Sequence, residues 1–267
     1  MAEKRGSGRR GLFVVVDGLD GVGKGEVERV LIGYEQRLGK NTFDSVSFSK
    51  AEAKGLPELS DFWLPGVRHY HTIITAEPTY WGIGEWIRKE MIANNGRDYS
   101  SLEQIQSYSM DRLGQMRRVV IPALENGLNV IQSRCCASTL CYQSLKAERE
   151  GKNPDEVRKG VLQHPGNILQ LEYRPDLLII PTIKDVSELI RRLDERSRVR
   201  KQDNSEFENI EFQGQLNPFY ESDWLREIFE ERGTIVKYLD AGVSEQSTRE
   251  QAIEIYKNFL ASIREKS

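Results

Sequence analysis

The sequence predicts a doubly wound α/β fold: a five-stranded parallel sheet with helices on both faces, carrying a phosphate-binding loop and a mobile lid. Three observations predict it. Short apolar runs of strand length, such as Leu12 to Val16 and Leu177 to Pro181, are bounded by turn residues. Helical stretches alternate with these runs, the order that covers both faces of a parallel sheet. The first run also ends in a glycine-rich segment, Gly18 to Gly25, that opens a helix. With 267 residues the chain is long enough for one sizeable core. Its 38% hydrophobic and 30% charged residues fit a globular protein and exclude disordered and membrane classes. No apolar run is long enough to span a bilayer.

In chain order, Leu12 to Val16 reads as a buried strand entering a turn at Asp17-Gly18. Glu26 to Leu38 is a helix closed by Gly39. Asn41 to Arg68 holds Gly55, Pro57, Pro65 and Gly66 and reads as a surface insertion. His71 to Thr75 is the second strand and Gly82 to Ala93 a short helix. Ser101 to Glu125 is a long helix with Ile105, Tyr108, Met116, Val119 and Val120 roughly on one stripe. Pro122 is expected to kink it or end it early. Leu128 to Ile131 is a strand, Cys136 to Glu148 a helix, and Gly151 to Gln170 a polar stretch with short helical pieces. After the strand Leu177 to Pro181, Asp185 caps a helix through Leu193. Arg196 to Asn217 is charged and weakly periodic, the signature of a mobile loop. Ser222 to Glu231, Thr234 to Leu239 and Glu245 to Ile263 complete the pattern as helix, strand and helix. Residues 11–267 thus read as one domain behind a basic, disordered tail, 1–10, that lacks the apolar stretch of a secretory signal.

A net charge of -3 argues against broad attraction to nucleic acid. Local basic clusters at Arg112 to Arg118 and Arg191 to Lys201 suit a small anionic ligand instead. Cys135, Cys136 and Cys141 lack metal-binding spacing and read as reduced thiols packed on a helix in a cytoplasmic protein. His69 and His71 would face one side of a strand, a plain strand edge without a third metal ligand.

The segment Gly18-Leu19-Asp20-Gly21-Val22-Gly23-Lys24-Gly25 carries the chemistry. Its glycines let backbone N–H groups turn inward around phosphate oxygens, and the helix N-terminus adds partial positive charge. Lys24 adds a mobile charge for the β- and γ-phosphates. Where Walker A loops end in Ser or Thr, whose hydroxyl ligates Mg²⁺, this one ends in Gly25.

From Phe13 to Leu177 the ordered motifs resemble the thymidylate kinase family. The GxDGxGK loop is followed by a TREP-like Thr75-Ala76-Glu77-Pro78-Thr79 and an IGxxIR-like Ile83-Gly84-Glu85-Trp86-Ile87-Arg88. Then come Tyr108-Ser109-Met110-Asp111-Arg112 and Pro122-Ala123-Leu124-Glu125-Asn126-Gly127. A DRY-like Ser133-Arg134-Cys135 precedes Ser138 and Tyr142-Gln143, and Pro175-Asp176-Leu177 closes the set. The resemblance implies transfer of the γ-phosphoryl group of ATP to dTMP with Mg²⁺, in a homodimer formed through the long helices.

It also implies roles for single residues. Tyr108 would stack on thymine, as a flat π face can. Arg112 and Arg134 would hold the base and the 5′-phosphate region through guanidinium forks. Asp20 would accept from the sugar 3′-hydroxyl, Ser138 would bond the base, and Tyr142 would pack under the deoxyribose. Glu77 and Pro78 would form the turn over the monophosphate, with Arg88 reaching the same phosphate. Arg196-Ser197-Arg198-Val199-Arg200-Lys201 resembles the lid, with Arg198 as a candidate for bringing charge onto the transferring group.

Three positions depart from the family pattern: Gly25, Ser133 where an acid lies near the metal, and Ala76 where an Arg faces phosphate. Asp17, Asp20 or Glu77 would then have to serve the metal through water. The departures leave two alternatives beside dTMP kinase: a kinase for another deoxynucleoside monophosphate, and a nucleotide-binding homologue without catalysis.

Overall fold

The computed structural model describes residues 10–51, 55–63, 70–93, 95–185, 187–189, 191–192 and 210–265. Its centre is a parallel sheet of β1 (Phe13–Val16), β2 (Thr42–Asp44), β3 (Thr72–Ala76), β4 (Asn129–Ser133), β5 (Leu177–Thr182) and β6 (Ile235–Asp240), in the order β2-β3-β4-β1-β5-β6. The β1 sequence is Phe-Val-Val-Val, fully buried between β4 and β5. Continuous β-branched apolar sequence is what a strand covered on both faces requires.

The sheet has six strands, not the five expected. The additional one, β2, opens the segment read as a surface insertion. It is three residues long, half-polar, and paired on one side only, to β3. A strand that short carries no alternation to detect. Phe43 anchors it, its ring 5.5 Å from Phe48, 5.2 Å from Phe62 and 5.1 Å from Tyr70. His71 precedes β3 and accepts a hydrogen bond from the Asn41 N–H through Nδ1 at 3.1 Å. His69 lies outside the described residues.

Helices cover both faces. α1 (Lys24–Arg37) follows β1, and α2 (Ser45–Ala51) follows β2. α3 (Ile83–Trp86) continues through a wider turn at Ile87–Met91. α4 (Ser101–Gln115) starts at a capping box in which Ser100 and Glu103 satisfy each other's backbone N–H groups. It runs on through a wide turn, Met116–Val120, into α5 (Ile121–Glu125). Pro122 does not end this helix early. The Ile121 N–H reaches back five residues to Met116, and Pro122, with no N–H to give, enters directly after that change of register.

α6 (Cys136–Arg149) is buried along most of its length, so Cys135, Cys136 and Cys141 are core thiols without disulfides. α7 (Pro154–Gln163) and α8 (Pro165–Glu172) follow. Residues 210–217, read as loop, open α9 (Ile210–Tyr220) instead. Phe212, Leu216 and Tyr220 on α9 are buried at helical spacing, but Gly214 and Pro218 between them weaken the helical signal in sequence. α10 (Asp223–Glu230) and α11 (Glu245–Glu265) complete the fold. Among the described residues no helix is long and apolar enough to cross a membrane.

Parallel pairing places all the strand C-termini on one edge. Val16 and Ala76 are both in register with Ser133, and Val16 with Ile179. The segments after β1, β3 and β4 therefore converge there, where ligands bind in open α/β sheets.

Candidate active site

After β1 the chain turns through Gly21 (φ 77°) and Gly23 (φ 97°), left-handed conformations that a Cβ would strain. Gly23 is the N-cap of α1 and has no side chain to bond its first N–H groups, leaving them for a ligand. Lys24 folds back along the loop, its Nζ donating to Gly18 O (3.0 Å) and Leu19 O (2.5 Å), 3.6 Å from Asp20 Oδ1. Burial lowers its pKa to about 8; nearby Arg134 adds to this, while Asp20 and Asp17 oppose it.

Asp17, fully buried, ties the loop to α6. Its carboxylate accepts from the N–H groups of Gly18 (2.7 Å), Cys135 (2.9 Å) and Ser138 (3.0 Å), from Ser138 Oγ (2.6 Å) and from the Tyr220 hydroxyl (3.1 Å). Arg134, at φ 64°, leaves β4 in the left-handed region, uncommon for a side-chain-bearing residue. Its guanidinium donates to Asp20 Oδ1, Ser138 Oγ (2.8 Å) and Gly18 O (3.3 Å). Burial works against its charge, but Asp20, Tyr142, Tyr220 and Asp17 together hold its pKa well above the ordinary value. The Tyr142 hydroxyl donates to the other Asp20 oxygen at 2.9 Å, and Gln213 accepts from the Asp20 N–H at 2.9 Å.

Across the sheet edge, β3 runs into Glu77 and Pro78, joined by a cis peptide. Glu77 is buried beneath the turn. Arg112 donates to its Oε2 from Nε (2.9 Å) and Nη2 (2.6 Å), and Gln132 and Gln170 each donate to its Oε1 at 2.9 Å. Burial pushes the Glu77 carboxyl up to about 7 against the pull of Arg112. Asp111 holds the turn from α4, accepting from Thr79 N (2.7 Å) and Oγ1 (2.6 Å). Arg88 donates to the Pro78 and Thr79 carbonyls and lies 3.8 Å over the Tyr80 ring.

These contacts sort the expected site residues. Asp20, Lys24, Arg134 and Tyr142 come together beside the loop. Tyr108 lies within electrostatic range of Arg134, Arg88, Asp20 and Asp111. It is half-buried yet outside the hydrophobic cluster, so the apolar stripe that includes it in sequence does not make it core. Arg112 is 2% exposed. With four donor contacts to Glu77, Asn167 and Thr139, it holds the turn up from beneath. The Ser138 hydroxyl is taken by Asp17, Arg134 and Tyr220, an anchor of the loop rather than a free group for a base. Arg198 and the rest of Arg196 to Lys201 lie outside the described residues.

Sequence reasoning misses Gln213, Tyr220 and Glu28. The first two arrive from α9, almost two hundred residues downstream, and nothing local marks them. Glu28 had a signal: it stands four residues after Lys24, one turn along the same helix face. Among the described residues its buried Oε1 has no hydrogen-bond partner. Burial raises its pKa, while Ser133, Lys24 and Arg134 pull it down and Asp17 pushes it up. A Cβ built on Gly25, one turn away, would meet nothing within 4 Å. Among the described residues no three His, Cys, Asp or Glu side chains form a self-sufficient metal site.

The fold is similar to that of a solved thymidylate kinase from Candida albicans, with a TM-score of 0.61 over 94% of this chain and 93% of that one at 18% identity. In sequence, the chain is 25% identical over 258 residues to a probable thymidylate kinase of Pyrococcus abyssi, covering 95% of this chain and all of the relative. It is 27% identical over 213 residues to a thymidylate kinase of Prochlorococcus marinus strain MIT 9301, covering 78% and 81%. A probable thymidylate kinase of Thermococcus gammatolerans is 26% identical over 194 residues, covering 70% and 72%. The thymidylate kinase family model matches residues 65–252, well over half of the chain. This chain belongs to the thymidylate kinase family.

Proposed function

We propose that the chain transfers the γ-phosphoryl group of ATP to dTMP, giving dTDP and ADP, in the crevice between the glycine loop and the Glu77–Pro78 turn. Tyr108 carries the reading: a half-buried aromatic ring off the core, with no hydrogen bond or ring partner among the described residues, within electrostatic range of Arg88, Arg134 and Asp20. A π face in the field of two guanidinium groups and a carboxylate suits a base attached to a sugar phosphate.

The loop N–H groups and Lys24 would bind the ATP phosphates, Lys24 exchanging its two backbone carbonyls for β- and γ-oxygens. Arg134, against Gly18 and Asp20 of the loop, would steady the charge moving toward the acceptor. Asp20, held by Arg134 and Tyr142, would accept from the sugar 3′-hydroxyl, with Tyr142 beneath the deoxyribose. Arg88, carried on the helix after the turn, would meet the 5′-phosphate. The turn itself is fixed by Glu77–Arg112 and Asp111, which limits how far the acceptor can drift; positioning is most of what phosphoryl transfer asks of a protein. Arg196 to Lys201 would supply the lid and Arg198 a lid charge. Mg²⁺, when bound, would supply positive charge that offsets the phosphates. The open space at Gly25 and the unpartnered Glu28 oxygen fit that ion.

The same reading makes residues 11–267 one catalytic domain working in the cytoplasm as a homodimer. Leu102 and Met110, exposed on α4, and Trp81, Ile83 and Trp86, exposed at α3, support an interface along these helices. The test is a coupled ADP-release assay with ATP and Mg²⁺, offering dTMP, dUMP, dGMP, dCMP and dAMP in turn. Preferential turnover of dTMP is expected. Turnover of another monophosphate moves the specificity, and no turnover with any of them overturns the reading.

A further inference from the structure

We infer that Glu28 supplies the carboxylate that this chain directs at a nucleotide-bound divalent cation, in place of the hydroxyl missing at Gly25 and the acid missing at Ser133. The inference rests on the kinase reading above.

Three acids come near Lys24: Asp17, Asp20 and Glu28. Two are already committed. Asp17 accepts five hydrogen bonds from Gly18, Cys135, Ser138 and Tyr220. Asp20 accepts from Arg134 on one oxygen and Tyr142 on the other. Glu28 differs: its Oε1 is sealed from solvent and, among the described residues, has no hydrogen-bond partner. A buried carboxylate oxygen without a donor is costly, and such an exception calls for an unfilled role. Lys24 does not fill it, because its amine is turned to Gly18 O and Leu19 O.

The surroundings point to a cation. The place where a Walker loop would offer its hydroxyl is open, since a Cβ on Gly25 would meet no atom within 4 Å. Gly25 and Glu28 are three residues apart on α1, neighbours on one helix face, so a carboxylate on the longer stem can serve the space a short hydroxyl would have filled. Ser133, at the end of β4, lies close enough to Glu28 to favour its charged form. The β4 position thus no longer offers a carboxylate and instead steadies one that comes from α1. Mg²⁺ keeps several waters and needs only one or two carboxylates beside the phosphates, so a self-sufficient cluster of acids is not required.

The test compares ADP binding with and without Mn²⁺, by calorimetry and by the Mn²⁺ electron spin resonance signal, in the intact protein and in Glu28→Gln. The variant is expected to bind metal-free ADP within about twofold of the parent. Its affinity for Mn²⁺–ADP should fall about tenfold or more, the range for groups that support a bound metal. Gly25→Ser added to Glu28→Gln should recover part of the loss by restoring a hydroxyl. Unchanged Mn²⁺–ADP affinity in Glu28→Gln overturns the inference, as does an equal loss with and without metal, which marks a structural role. If Glu28→Gln does not fold, Glu28→Asp serves: it keeps the charge but withdraws it by one methylene, and undiminished Mn²⁺–ADP binding there is equally fatal. The nucleotide panel on the unaltered protein separates the two readings. Turnover of dTMP with metal binding indifferent to Glu28 sinks only the inference. Metal binding that depends on Glu28 without turnover of any monophosphate sinks only the function.

Discussion

Arg112 and Arg134 look alike in sequence, each in a motif that follows an aromatic residue or a strand, yet they work at opposite depths of one crevice. Arg112 is sealed beneath the Glu77–Pro78 turn, its donors spent on Glu77, Asn167 and Thr139. Arg134 stands at the mouth, its side chain 18% exposed against 2% for Arg112, and its partners are Asp20, Gly18 and Ser138. The difference teaches that a motif arginine can build a site without touching what the site holds. A paired, fully desolvated guanidinium fixes a turn because undoing the pair strands a charge in the interior. One that keeps contact with solvent can trade its protein partners for phosphate oxygens.

The largest effects should fall on turnover at the mouth. Arg134→Ala is expected to reduce kcat by about 10³-fold or more, the scale of an arginine that stabilises a transferring phosphoryl group. Lys24→Ala should reduce it by about 10²–10³-fold, the cost of one preorganised donor. In both, the urea midpoint should stay near that of the parent. Near-normal kcat in either variant would break the assignment of the mouth. The sealed pair should behave in the opposite way. Arg112→Met strands the Glu77 carboxylate and should cost about 3–5 kcal/mol in urea unfolding. Adding Glu77→Met should return much of that loss, because no charge is then left unpaired. Equal stability losses from Arg112→Met and Arg134→Met would dissolve the distinction between the two arginines.

A smaller effect sharpens the acceptor side. Tyr108→Ala should raise KM for dTMP by about 1–3 kcal/mol in free-energy terms, the worth of one base stacked on an aromatic ring, and leave KM for ATP almost unchanged. Equal changes for both nucleotides would return Tyr108 to a packing role.

The same contrast explains what the sequence could tell. The glycine loop is legible because its function is carried by backbone geometry, and glycines at fixed spacing after a strand announce that geometry. β1 and β5 are legible because burial on both faces demands unbroken apolar runs. Arg112 and Ser138 could be located but not interpreted, since exposure and partnership depend on groups far away: Glu77 lies 35 residues before Arg112, and Tyr220 82 residues after Ser138. β2 went unseen because three half-polar residues at an edge leave no period. Gln213 and Tyr220 are hidden because Gly214 and Pro218 interrupt the helical pattern of α9. Glu28 had a visible spacing to Lys24, but only its unpartnered oxygen makes that spacing informative.

The smallest effect concerns protons at the mouth, where Lys24 titrates at about 8 rather than near 10.5. Below pH 8 it is charged in the folded and unfolded chain alike. Between about 8 and 10.5 the unfolded chain holds the additional proton, so the Lys24 contribution to stability rises with pH across that window. Activity should run the other way. In the free enzyme the neutral amine no longer attracts phosphate, so kcat/KM for ATP should fall above pH 8, by about tenfold for each further unit. The limb seen in kcat should lie higher, because bound phosphates favour the charged amine. Lys24→Met should abolish both trends, flattening urea stability between pH 8 and 10 and removing the alkaline limb from whatever kcat/KM remains. A limb near pH 8 that survives in Lys24→Met would belong to another group and would detach the titration from the phosphate loop.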